Sequence, residues 1–464
     1  KTNIAISVTA TTVSGLYADL TTVYVTNASS YTNLGDENVT ITDTQSANNV
    51  NIMLNKTSGI VTATVSADTA ANLNTNLTNA TATDALSLSV TDTSLSSLTN
   101  LLALDAKTSV AVNASSITAI SETYANLNIA YSSAGITGLG NEAVTITDTQ
   151  SATNVNTIAN KTSGIVTATL TSGAVTATLG ALANVDANDV ITFTTTDTSV
   201  DASDLVALAV KVDTLGVNTV NTVTEVYNTA SLGTVVVNAL NITGNTEAVI
   251  ITSGSISSTD TNAIVNATSG IVTATVSADT AANLNTNLVN ATATDVLTLT
   301  VSAGSVAATD LTALDNKTSV AVNAAAVTAL IGTAAEIQAA YTANIAGTIS
   351  GLGNENISIL DTGILASSII TSLDVSTTGT ITLNGAGSLV LTTTSGQTLD
   401  LSGVTNSLSG TLSITDSTGN ETITGTSAND TLTLSSGNDT VNLGDGSDVI
   451  NTTIANLNTA DNIS

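Results

Sequence analysis

The chain has no cysteine, histidine, tryptophan or proline, and because all six of its basic residues are lysine it has no arginine either. Each absence removes a class of chemistry. Without histidine or cysteine there is no Ser-His-Asp triad, no thiolate nucleophile, no zinc site of the usual N/S kind and no redox pair. Disulfide staples are excluded too, so stability has to come from packing or from bound ions. A glycosidase-type carboxylate pair remains open in principle, but it needs a shaped cleft that is usually lined with aromatic rings. Aromatics make up 2% of the 464 residues, which argues against such a cleft and against an enzyme.

Charge of one sign is also scarce. Acids outnumber bases 36 to 6, a formal net charge of −30, so nucleic acids and anionic lipid surfaces are repelled and cations are the natural partners. Charged residues are nevertheless only 9% of the chain against 42% hydrophobic, which is not the composition of an acidic disordered tail. No uninterrupted apolar run reaches the roughly 18 residues of a membrane span. The first residue is Lys1 and no signal-peptide pattern precedes it, which leads us to expect that an N-terminal part is missing or removed.

What is abundant is repetition. "TSGIVTATVSADTAANLNTNL" at 57–77 returns unchanged at 268–288, and "KTSGIVTAT" occurs at 56 and at 161. The offsets define a super-repeat of about 105 residues, the signature of stacked units rather than of a globule. "LGDENVTITDTQSA" at 34 is answered by "LGNEAVTITDTQSA" at 139, "TGNTEAVIIT" at 243 and "LGNENISIL" at 352. "KTNIAI" at Lys1 is in phase with "KTSVAV" at Lys107 and Lys317.

Inside each super-repeat, strand-like and helix-like runs alternate. Val61, Ala63 and Val65 interleave with Thr62 and Thr64, and Leu86, Leu88 and Val90 with Ser87 and Ser89, the period of two expected of half-buried strands. Leu73 and Leu77 at i,i+4, and Tyr124, Leu127 and Tyr131 at i,i+3,i+7, make helical stripes. Asp43, Asp92, Asp148 and Asp197 each follow a strand in "TDT", and Asp68 and Asp279 stand in "SADTAA". They are placed to cap the helix that comes next, although a column such as Asp43, Asp68 and Asp92 could also attract calcium. Lys1, Lys56, Lys107, Lys161, Lys211 and Lys317 close helical runs, where the helix dipole favours a base.

A strand and a short helix in a coil of about 25 residues read as a parallel β-solenoid, similar in plan to leucine-rich repeats. The competing expectation is an all-β solenoid throughout, which the threonine and asparagine content keeps open. The helical stripes stop after about Ser376, so two domains are expected: a repeat solenoid over 1–376 and an all-β roll over 377–464.

In the roll, Glu421, Asp430, Asp439 and Asp448 are nine residues apart, and each is followed two positions on by Ile423, Leu432, Val441 or Ile450. A glycine-rich turn plus a three-residue strand makes half a coil of a parallel roll, so acids two repeats apart share an edge: Asp430 with Asp448, and Glu421 with Asp439. Calcium takes six to eight oxygens, so turn carbonyls exposed by glycine have to join the acids. Here the chain resembles the RTX, or haemolysin-type calcium-binding, nonapeptide family, whose unit is GGxGxDxUx. Gly444-Asp445-Gly446-Ser447-Asp448-Val449-Ile450 matches its GxGxDxU core, "SSGNDTVNL" keeps Gly437 and Asp439, and "GTSANDTLTL" has Ala428 in a glycine place. The resemblance implies calcium as the bound ion, with Asp430, Asp439 and Asp448 as ligands alongside carbonyls at Gly437, Gly444 and Gly446. Glu421 departs from the pattern.

More loosely, the long units are similar to the β-strand-repeat proteins of bacterial, especially cyanobacterial, secretomes and S-layers. That likeness implies type I export and folding in calcium-rich surroundings at a cell surface. The expected function is structural: a secreted surface layer or filament that self-associates, with surface polysaccharide as a further partner. The alternative is an adhesin or binding module that uses threonine-rich strand faces on glycan or ice.

Overall fold

The computed structural model describes residues 5–226 and 232–464, and among them every strand pairing is parallel. The chain divides into two compact units, 1–198 with 204–219, and 199–203 with 220–464. The first carries a four-stranded sheet (Thr12–Gly15, Asn38–Ile41, Val61–Thr64, Ala85–Ser87) and a six-stranded one running from Ser94–Leu95 to Thr214–Gly216. The second carries four- and five-stranded sheets built in the same way. Partner strands lie about one coil apart in sequence, as in Val144 opposite Ile120 and Val223 opposite Val249. This is a parallel β-solenoid with short helices.

Alternation produces the strands. Val61, Ala63 and Val65 are buried while Thr62 and Thr64 are exposed, and Leu86, Leu88 and Val90 repeat the pattern. The helices between them are short, such as Ala47–Leu54, Ala70–Asn76 and Ala152–Ala159, and each buries one stripe against the strands: Val50 and Met53, Leu73, Val155 and Ile158. An isolated helix of seven or eight residues is not stable in water, so these exist because the stack buries one face of each. The all-β alternative therefore does not hold for the coils that carry these helices.

Capping is arranged differently from the local scheme that the sequence invites. The helix starting at Ala47 is capped by Ser46, whose Oγ accepts the Asn49 N–H at 3.3 Å, and Ser151 and Thr280 act alike. The "TDT" acids reach one coil back instead. Asp43 accepts from Tyr17 N–H at 2.8 Å, Asp92 from Ala70 at 2.7 Å, Asp148 from Tyr124 at 2.8 Å and Asp197 from Val175 at 2.7 Å. Only the "SADTAA" acids stay local, Asp68 on Thr69 N–H and Asp279 on Thr280 N–H. In a stack the free N–H groups of one helix lie beside the strand end of the next coil, so the acid that is nearest in space is not the nearest in sequence.

Two of the bases, Lys107 and Lys317, also reach one coil back. Lys107 Nζ donates to the carbonyls of Asn74 and Leu77, both at 2.8 Å, and Lys317 Nζ to Leu288 O at 2.8 Å, closing the C-terminal end of the helix one coil earlier. Lys211 Nζ donates to Val185 O. Lys1 lies outside the described residues.

The motifs that mark the super-repeat form a latch. Glu37, Glu142, Glu247 and Glu355 of the "GDE", "GNE" and "GNTE" turns are buried. Their backbone carbonyls accept from the threonine of the following "TSG" or "TTG": Thr57 at 2.5 Å, Thr162 at 2.7 Å, Thr268 at 2.6 Å and Thr377 at 2.7 Å. A Cβ on Gly59 would lie 2.3 Å from Glu37 O, so only glycine fits there. Tyr24 OH donates to Glu37 Oε2 at 3.0 Å, and Tyr131 and Tyr341 likewise donate to Glu142 and Glu355.

Among the described residues the last helix is Ser367–Asp374, and strands alone follow. The sheet does not end there. Gly363–Ala366, Leu389–Thr392, Leu412–Thr415, Asp430–Thr433 and Val449–Asn451 form one sheet, in which the step between partners falls from 26 residues (Gly363 to Leu389) to 18 (Leu412 to Asp430). Losing the helix shortens the coil.

Candidate metal centre

Once the coil is 18 residues long, acids 18 apart in sequence stack on one edge. Glu421 N–H donates to Asp439 Oδ1 at 2.9 Å and Asp430 N–H to Asp448 Oδ1 at 2.9 Å, the two pairings expected from the nine-residue spacing. Asn438 N–H to Asn420 Oδ1 at 2.9 Å and Ser447 N–H to Asn429 Oδ1 at 2.8 Å extend the ladder. The solenoid uses the same device with longer coils: Val61 N–H donates to Asp84 Oδ1 at 2.9 Å and Val166 N–H to Asp189 Oδ1 at 2.7 Å.

The two edges of the roll are not equivalent. One holds Asp439 and Gly437 of the expected ligands; the other holds Asp430, Asp448, Gly444 and Gly446. On the first edge, Gly437 is seated so closely over Gly419 O that a Cβ would stand 1.6 Å from it. The Gly437 carbonyl accepts from the Asn458 amide. On the second edge, Gly444 has φ +86° and packs against Thr426 O.

The first edge also brings in Asp416, which the nonapeptide spacing does not mark. Asp416, Glu421 and Asp439 are all buried, and one oxygen from each lies within 4.8 Å of the others. Asp416 follows the strand Leu412–Thr415 in "SITDST", much as Asp43 follows a strand in "TITDTQ". The signal was visible, but in the solenoid that acid meets a helix start, whereas here the coil behind has no helix. Asp461 was missed as well: it accepts Asp439 N–H at 3.0 Å after a loop of 22 rather than 18 residues.

Three carboxylates at this distance in a buried site oppose one another's ionisation. Asp416 is pushed up to about 6, mainly by burial, partly offset by the Ser435 N–H, with Glu421 and Asp439 adding to the rise. Burial raises Asp430 and Asp439 as well, whereas the Asn458 and Asp439 N–H groups lower Asp461.

The donor set fits a hard divalent cation. All donors are oxygens, which suits calcium and not a thiolate- or imidazole-seeking metal. Glu421 Oε2 and Asp439 Oδ2 are buried with no hydrogen-bond partner, an arrangement that is costly unless an ion meets them. Asp416, Glu421 and Asp439 would hold the ion, which would supply the positive charge that offsets the burial of these carboxylates. Among the described residues no other group of three acids is so placed, and the solenoid acids Asp43 and Asp92 are engaged as caps.

Residues 415–450 match the model of the RTX calcium-binding nonapeptide repeat in four copies. This segment is an RTX calcium-binding repeat. RTX nonapeptides bind calcium, and Asp416, Glu421, Asp430, Asp439 and Asp448 all lie within the matched residues. No curated protein and no solved structure matches the chain.

Proposed function

We propose that this is a structural protein of a cell surface, secreted by a type I system, stabilised by calcium, and forming or projecting from a surface layer or filament. The observation that supports this reading is the continuity of the sheet. The strand before the last helix, Gly363–Ala366, and the RTX strands Asp430–Thr433 and Val449–Asn451 belong to one sheet. Calcium at the turns therefore bears directly on the end of the solenoid, so the ion's role is to hold the array rather than to serve a detached module. The composition, without histidine or cysteine, favours a non-catalytic role. No helix among the described residues is long and apolar enough to cross a membrane.

A layer or filament of identical copies is built by self-association, which is therefore the expected mode of assembly. Electron microscopy of the native material with and without a chelator tests this. Filaments or sheets that dissolve on calcium removal support it, and a calcium-loaded chain that stays monomeric at high concentration refutes it.

A second reading, an adhesin, draws on the outward column Thr169, Thr192 and Thr214, which pair in register. Glycan-array binding or thermal hysteresis, lost when these residues are changed, would favour it over the structural role.

A further inference from the structure

We propose that the tightest calcium site of this chain is the edge carrying Asp416, Glu421 and Asp439, with Asp416 as a third carboxylate ligand, and not the edge carrying Gly444–Ile450, which matches the nonapeptide best. The inference rests on reading the segment as calcium-binding and goes beyond it by assigning a ligand outside the repeat's acid position and an order of occupancy. Asp416 stands five residues before Glu421, where GGxGxDxUx has its first glycine.

The two edges differ in what their carboxylates already touch. On the second edge, Thr426 occupies the place of the second glycine of its repeat. It donates its N–H to Asp430 Oδ2 at 2.7 Å, and its hydroxyl lies 3.1 and 3.0 Å from Oδ1 and Oδ2. Both oxygens of Asp430 are thus engaged from within the protein. An ion there would have to compete with Thr426 and would be left with Asp448, which is half-exposed.

On the first edge, Glu421 is 1% and Asp439 0% exposed, and Glu421 Oε2 and Asp439 Oδ2 have no partner. Their other oxygens are fixed by donors that set the orientation: Gly396 N–H and Ser417 Oγ on Glu421 Oε1, both at 2.8 Å, and Glu421 N–H on Asp439 Oδ1. Asp416 Oδ2 accepts the Ser435 N–H at 3.1 Å, and its Oδ1 has only the Thr393 hydroxyl at 3.4 Å, a longer and weaker contact than any of those on Asp430, so that oxygen is the more easily drawn to an ion. No base follows Lys317 in the sequence, so no lysine of this region can neutralise the trio. Calcium affinity rises with the number of ligand charges and the rigidity of the site, and both favour this edge.

Calcium titration of the full chain by calorimetry, with terbium luminescence lifetimes as a second readout, tests the assignment. In D416N, which keeps an amide oxygen but loses a ligand charge, the tightest calcium should bind at least about tenfold more weakly. D416G, which restores the glycine of the repeat and removes the ligand, should weaken it as much and let the terbium there gain about one bound water, while circular dichroism shows the strands intact. D448N should leave the tightest phase unchanged. A tight phase lost in D448N and kept in D416N and D416G overturns the proposal. If the unaltered chain binds no calcium at all, the RTX reading itself fails.

Discussion

Asp92 Oδ2 accepts the backbone N–H of Ala70 at 2.7 Å, joining the end of a strand in one coil to the start of the helix in the coil before it. Side-chain caps are worth about 1 kcal/mol, in the range of roughly 0.5–2. In Asp92→Ala that loss should fall on the helix Ala70–Asn76. Amide hydrogen exchange should quicken at Ala70 and its first turn and stay unchanged in Thr99–Asp105, the helix that follows Asp92 in sequence. Faster exchange confined to Thr99–Asp105 would mean that the acid caps its own helix.

The Glu–Thr–Gly latch makes a sharper steric prediction. Gly59→Ala drives a Cβ to 2.3 Å from Glu37 O, a main-chain atom that cannot swing aside. The expected cost is about 1–3 kcal/mol, the usual range for overpacking. Gly180 lies within the helix Val175–Ala181 with open space around it. Gly180→Ala should stabilise by roughly 0.5–1 kcal/mol. Denaturant midpoints of the two variants should move in opposite directions.

The buried tyrosine–glutamate pairs predict behaviour in alkali. Burial, with Glu37, Glu142 and Glu355 beside them, raises Tyr24, Tyr131 and Tyr341 well above the ordinary phenol value. A folded-state pKa above the unfolded one means that the folded chain holds the proton more tightly. The stabilisation is then complete below about pH 10 and is lost as pH rises beyond it. Ultraviolet titration should show these three of the seven tyrosines ionising only with unfolding. Tyr131→Phe should leave Glu142 short of a donor and cost about 1–3 kcal/mol.

How much of this was legible in the sequence depends on whether a feature is periodic. Val61, Ala63, Val65 and Leu73 announced strand and helix because burial follows their spacing. The pairing of Asp430 with Asp448 and of Glu421 with Asp439 followed from a coil of two nonapeptides. What local reading misplaced are contacts one coil away: Asp43 on Tyr17 and Lys107 on Leu77, where the expected partner was the neighbouring helix in sequence. Asp416 escaped because its meaning depends on the loss of a helix in the coil behind it. The engagement of Asp430 by Thr426 cannot be deduced from a motif that specifies glycine at that place.

Calcium should reverse the effect of protons on the roll. Without calcium, Asp416 is pushed up to about 6, and Asp430 and Asp439 are also raised, in each case first by burial. Between the ordinary aspartate value of about 4 and about pH 6 the folded roll therefore binds more protons than the unfolded chain. Its stability is greatest at the acid end of that window and falls as pH rises through it. With calcium the sign reverses, because the ion binds ionised carboxylates and binding releases the protons. Hydrogen exchange at Ile423, Leu432 and Val441, buried residues of the roll strands, should quicken with pH in chelator beyond the intrinsic base-catalysed rise. Exchange at the same residues should slow, once that rise is subtracted, in saturating calcium. A chelated roll better protected at about pH 7 than at about pH 5 would show that the trio is already neutralised within the protein and that no ion is needed to complete it.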